Sequence, residues 1–331
     1  MTASDWLREA VRTMPDPDEH ARAAVSERAA KILRPSGALA RLDAVGVWIA
    51  GWQRTSTPSV RRPAAIIFAA DHGVASAGVS AYPADVTAAM LAAYRAGKST
   101  INAFASVAGA TVEAIDVGVG RPTGDIRTEA AMSHQRFDEA VAAGRDAVNS
   151  LDADLLVLGE MGIGNTTAAA AIATALGDGD AQRWVGRGTG VDDDGLRRKH
   201  DAVQRAVARI GGVTDPFEVL REVGGAELVA IASAIVAARH RSLPVLIDGY
   251  VVTAAALPLA CVSPSALDHC LIGHCSAEPG HRRLLERLGK QPLLDLDMRL
   301  GEGSGAMAAV PLVAMACAGI TEVPTFAEWF G

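Results

Sequence analysis

Several large classes of protein are excluded by what this sequence lacks. Only 4% of its 331 residues are aromatic, and its four cysteines (Cys261, Cys270, Cys275, Cys317) form no CxxC pair. A zinc-type site therefore has no support, and a chain of this length does not need disulfides to hold a core. The formal net charge is −7 and the one notable basic run is "LRRKH", which argues against nucleic acid as a partner. The N-terminal stretch "MTASDWLREAVRTM" has neither the cationic nor the apolar region of a secretion signal. No uncharged apolar stretch is expected to reach membrane-spanning length. These absences predict a reduced, cytoplasmic protein with no membrane partner.

What is present is small and apolar. Half the residues are apolar and 33 are glycine, a composition suited to close packing of helices on a sheet. Six short runs predict buried strands: "AAIIFAA" (64–70), "TVEAIDV" (111–117), "DLLVLGE" (154–160), "PVLIDG" (244–249), "ALDHCLIG" (266–273) and "PLLDLDM" (292–298). Most are continuously apolar, as strands covered on both faces require. Helical patterns lie between them, among them "DVTAAMLAAYRAG", "NTTAAAAIATALG", "AELVAIASAIVAARH" and "MAAVPLVAMACAG". The alternation predicts a Rossmann-like α/β fold, a doubly wound and mainly parallel six-stranded sheet. Residues 1–60 break the rhythm with helical segments such as "SERAAKILRP" and "GALARLDAVG". They are expected to pair with a C-terminal helical segment, 306–331, as a small domain beside the catalytic body, 61–305.

Ligands of open parallel sheets bind beyond the carboxyl ends of the strands. The polar, glycine-rich segments fall mainly there: "AADHGVASAGVSAYP", "GEMGIGNTT", "DGYVVTAAA", "GHCSAEPGH" and "LGEGSGA" follow five of the six strands. One large cleft is the expectation. "GEMGIGNTT" runs from a strand into a helix, where free amides favour an anion such as phosphate. The plain alternative is a tight turn capped by Asn165 or Thr166. A second glycine cluster, "GRGTGVDDDGLRRKH", brings Lys199 as a counter-charge, or else Arg197, Arg198 and Lys199 lie on a solvated helix face behind an aspartate cap. Neither loop matches GxGxxG or GxxxxGK[ST], so dinucleotide and ATP chemistry lose support.

Asp71, His72, Asp248, His274, His281, Asp295 and Asp297 are the residues from which an N/O metal site could in principle be drawn. There is no HExxH and no DxDxDG, however, and a single histidine beside a strand end is more often hydrogen-bonded structure than ligand. There is no GxSxG elbow either. Carboxylates remain. Glu160 and Glu302 each follow a strand and adjoin glycine, and a carboxylate in a small apolar cleft suits general-base work. For Glu302, within "LGEGSGAM", a solvated loop charge and a helix cap are the competing readings, although Ser304 suits a cap better.

The same segments, with "SAEPGHRRLLERLG" and "LLDLDMRLGEGSGA", occur in this order in one enzyme family. From about residue 30 onward the sequence resembles the nicotinate-nucleotide:dimethylbenzimidazole phosphoribosyltransferases of cobalamin biosynthesis. The resemblance implies a homodimer of α/β subunits without metal or cofactor. It implies transfer of phosphoribose from nicotinate mononucleotide to dimethylbenzimidazole, with inversion at the anomeric carbon. It assigns Glu302 as catalytic base and Glu160 as a second carboxylate. Gly162, Gly164, Asn165, Gly188, Lys199, Asp248 and Ser276 fall around the nucleotide, and Asp71, Ser80, Tyr82, Met90 and Gly301 around the base. Two positions depart from the pattern: Ala89, near a glutamine of some members, and Cys275, where an arginine is more usual. Both leave open another benzimidazole, a purine or a phenol as acceptor. A nucleotide-binding protein without turnover and a metal-dependent hydrolase are the readings from other classes.

Overall fold

Six strands form a single sheet in the order β2-β1-β3-β4-β5-β6, and every neighbouring pair is parallel. They are β1 (Pro63–Ala70), β2 (Thr111–Gly118), β3 (Leu155–Met161), β4 (Val245–Ile247), β5 (Cys270–Cys275) and β6 (Pro292–Asp295). The structure is a computed structural model that describes residues 2–177 and 179–331. All six predicted strands are present, and the differences lie at their ends. The fifth starts at Cys270 because the amides of Ala266 and Cys270 bond back to Ser263 and Leu267 in tight turns. The sixth stops at Asp295, two residues before Asp297 takes a left-handed φ of 54° that no strand accommodates.

The apolar runs are continuous because two cores share them. On β1, Ile66, Phe68 and Ala70 enter one core, while Ala65 and Ile67 enter the other. The larger core is closed by the helices His134–Ser150, Asn165–Leu176, Ala226–His240 and Tyr250–Val262. The smaller is closed by Thr100–Ala108 and Ser304–Thr321, with Ala40–Gln53 packed alongside. Edge strand β2 is the most exposed, and its run alternates accordingly.

The helix Ser304–Thr321 corrects one expectation. With 18 residues and a mean hydropathy of 1.7, it is long and apolar enough to cross a membrane. Its apolar character has another cause here, since it packs on β5, Thr100–Ala108 and Ala40–Gln53. Near the chain ends, "SERAAKILRP" is helical only to Ala29; beyond it Ile32 pairs with Thr325 in an isolated antiparallel bridge. Val25, Ile32, Ala50 and Ile320 make a small cluster of their own there. The first helix, Ala3–Arg12, lies elsewhere, against His134–Ser150 and Ala226–His240.

Candidate active site

Strand order reverses between β1 and β3, and the crevice that this opens at the carboxyl edge is where a parallel sheet binds ligands. A cavity of about 530 Å³ lies there, walled by the segments after β1, β3, β5 and β6 and by the helix Val86–Arg95. That is room for a ligand of drug size.

One end is acidic. Glu302 has a left-handed φ of 71°, uncommon outside glycine and kept only where neighbours over-determine the backbone. Here they do. Gly159 of β3 lies directly beneath, where a Cβ would stand 2.3 Å from the Glu302 carbonyl oxygen. From the other side Asp248, at the end of β4, accepts from the amides of Gly303 (3.2 Å) and Ala306 (2.8 Å). The start of the helix Ser304–Thr321 is thus held by Asp248, and neither Glu302 nor Ser304 caps it with a side chain. Glu302 is 7% exposed, and burial raises its proton affinity. Glu160 lies close by: a Cβ on Gly301 would fall 2.2 Å from its Oε1. The Asn165 amide donates to the Glu160 carboxylate, yet burial, reinforced by Asp248, Glu227 and Glu302, pushes its pKa up to about 8. Burial thus biases Glu160 toward its protonated form.

The other end is cationic. Lys199 is 1% exposed, while its neighbours Arg197 and Arg198 lie on the solvated helix face. Its ammonium donates to the Thr166 hydroxyl at 2.9 Å, and Gly188 lies against both groups. Burial lowers the Lys199 pKa to about 8, with Glu278 acting in the opposite sense. The expected aspartate cap is present as well: Asp192 accepts from Gly195 at 2.7 Å. In the other glycine loop the N-cap residue is Gly164, not Asn165 or Thr166. Those two side chains turn instead to Glu160 and Lys199.

Of the residues singled out in sequence, Glu160, Gly162, Gly164, Asn165, Gly188, Lys199 and Ser276 share the cleft wall with Ser80, Tyr82, Met90, Gly301 and Glu302. Two do not reach it. Asp248 is buried beneath, holding the start of the helix Ser304–Thr321, and Asp71 accepts from the Gly120 amide at 2.7 Å. Ala89 is exposed on the outer face of its helix, so Val86 and Met90 form the wall there. Cys275 is buried, its thiol directed at the Ser276 carbonyl. Sequence reasoning missed Glu278, which follows β5 by three residues, whereas Glu160 lies within the last residues of β3. It also missed Tyr94, whose spacing of four residues from Met90 and eight from Val86 was legible.

Comparisons with known proteins bear on the family and the fold. The family model described as Phosphoribosyltransferase matches residues 14–329. A nicotinate-nucleotide–dimethylbenzimidazole phosphoribosyltransferase of Methylorubrum extorquens is 50% identical over 328 residues, covering 98% of this chain and 96% of that protein. The enzyme of the same name from Mesorhizobium japonicum is 48% identical, with the same coverage. This chain belongs to that phosphoribosyltransferase family. The crystal structure of CobT from Thermus thermophilus superposes with a TM-score of 0.89 at 42% identity, covering 94% of this chain and 98% of that one.

Beneath the phosphoribosyltransferase cleft lies a layer of buried polar groups. His281 accepts the Ser276 amide at Nδ1 (2.9 Å) and so donates through Nε2 to Thr253 (3.0 Å). Burial, with His274 nearby, lowers its pKa to about 3, so it stays neutral and fixes Ser276 in the wall. His72 pairs with Glu227 at 2.5 Å under Gly162, whereas Asp295 pairs with Arg282 at the surface. Among the described residues no three His, Cys, Asp or Glu side chains are gathered as a metal site.

Proposed function

We propose that this chain transfers the 5-phosphoribosyl group of nicotinate mononucleotide to 5,6-dimethylbenzimidazole, releasing nicotinate and α-ribazole 5′-phosphate. The observation that carries this reading is a single cleft lined both by a buried carboxylate, Glu302, and by a buried ammonium, Lys199. Both relatives described above bear the name of this reaction.

In this reading Lys199, the Thr166 hydroxyl and the glycine loops hold the phosphate, matching a charge that the protein itself leaves incompletely paired. Val79, Val86 and Met90 offer a flat bicyclic base an apolar wall. One imidazole nitrogen attacks the anomeric carbon from the face opposite nicotinate, so configuration inverts. The bond to nicotinate breaks with its electron pair going to the ring nitrogen, which is cationic in the nucleotide and becomes neutral. Glu302 takes the proton from the other imidazole nitrogen. With burial favouring its protonated form, Glu160 serves in this reading as a hydrogen-bond donor to substrate oxygen while Glu302 accepts. Holding two rings and a ribose in line is worth about 7–11 kcal/mol of barrier, and a placed base about 10²–10⁴ in rate.

A homodimer and a cytoplasmic location belong to the same reading. Exposed Phe104, Val107, Met315 and Trp329 favour a partner surface, and the four free thiols favour a reducing compartment. The direct test incubates the purified chain with both substrates and separates the products by chromatography. α-Ribazole 5′-phosphate and nicotinate should appear in equal amounts. Nicotinate without a ribosylated base would make the protein a hydrolase and defeat the reading.

A further inference from the structure

The helix Val86–Arg95 aligns three side chains at intervals of four residues. Val86 and Met90 line the cleft, and Tyr94, a turn further on, is 2% exposed. Its hydroxyl is shut off from water without a well-formed hydrogen bond, and the same is true of Oε2 of Glu302. Two orphaned polar atoms in one dry place are costly unless they serve each other. They do interact. Burial, then the charges of Glu302 and Glu160, push the Tyr94 hydroxyl well above its ordinary range, so it remains a donor. Burial raises Glu302 too, and the Tyr94 hydroxyl opposes that rise while Asp248 adds to it. Hydrogen bonds between catalytic groups are often loose until substrate closes the site.

We propose that Tyr94 is a positioning residue for Glu302: its O–H donates to one carboxylate oxygen and leaves the other facing the acceptor's N–H. The inference rests on the role of Glu302 given above. Tyr94 keeps its proton throughout, while the imidazole proton passes to the free oxygen of Glu302. The charged groups around the pair are Glu160 from β3, Asp248 from the end of β4 and Arg299 on the cleft wall.

Tyr94→Phe removes one oxygen and keeps the ring. With nicotinate mononucleotide and dimethylbenzimidazole, kcat should fall about tenfold, the loss expected for one hydrogen bond to a charged group, with KM for the nucleotide unchanged. Without the donor Glu302 binds its proton more tightly, so the acidic limb of the kcat/KM profile should move to higher pH. In a Glu302→Gln background the same change should cost nothing further. An unmoved limb, or an equal loss in that background, overturns the inference and leaves Tyr94 a packing residue. Turnover by the unmodified chain decides the reaction separately. The carboxyl carbon-13 resonance of Glu302 gives a readout that needs no turnover: its titration midpoint should rise in Tyr94→Phe, and an unchanged midpoint refutes the contact.

Discussion

At one end of the cleft a lysine is buried with the Thr166 hydroxyl as its hydrogen-bond partner; at the other, Glu160 and Glu302 are buried close to Asp248. Neither arrangement is what stability alone would select. Burial drives Lys199 down to about 8 and Glu160 up to about 8, so each end moves toward its neutral form. A structural ion pair such as Arg209–Glu222, at 2.5 Å, looks different, with both side chains partly hydrated. The ends of the cleft are incomplete in complementary ways. One holds an ammonium on which Glu278 acts only at a distance, and the other accepts a proton.

Removing the proton acceptor should have the largest effect. Glu302→Gln keeps the shape of the acid end and is expected to lower turnover about 10²–10⁴-fold, with little change in KM for the nucleotide. Steady-state rates with both substrates measure this. A loss below tenfold in a protein that melts normally would take the base role away from Glu302.

The second prediction separates the two glutamates. In Glu160 the folded-state pKa is raised from 4.5 to about 8, so its contribution to stability is complete below 4.5 and is lost as pH rises toward 8. Glu160→Gln has no proton to lose. It should gain stability relative to the unmodified protein between pH 5 and pH 8, by a few kcal/mol at most. Urea midpoints at the two pH values test this, and parallel curves would mean that Glu160 is ionised throughout.

How far this contrast was legible in the sequence depends on the residue. The six strands were readable because residues such as Ile66 and Ile67 serve two cores and leave an unbroken apolar run. The strand ends were readable as a site because glycine loops crowd one edge. Lys199 could not be told from Arg197 and Arg198 in "LRRKH", since burial of one cation among three depends on how its helix rolls against Asn165–Leu176. Asp71 and Asp248 sit at strand ends as Glu160 does, yet their carboxylates serve the amides of Gly120, Gly303 and Ala306. Which strand-end acid faces the cleft and which holds a backbone is fixed by tertiary placement, not by local sequence.

The smallest effect is expected at the cationic end. Lys199→Met fills the same space without a charge to dehydrate. The lysine's folded pKa is depressed, so its unfavourable contribution is present below about 8, and the methionine variant should melt at the same temperature or higher at pH 7. What it loses is the phosphate partner, so KM for nicotinate mononucleotide should rise about 10- to 100-fold while KM for the base holds. In the unmodified protein the same KM should climb as pH passes through 8 and Lys199 gives up its proton. If Lys199→Met binds the nucleotide normally, the cationic end is structural, and the anion must be held by the amides of the glycine loops instead.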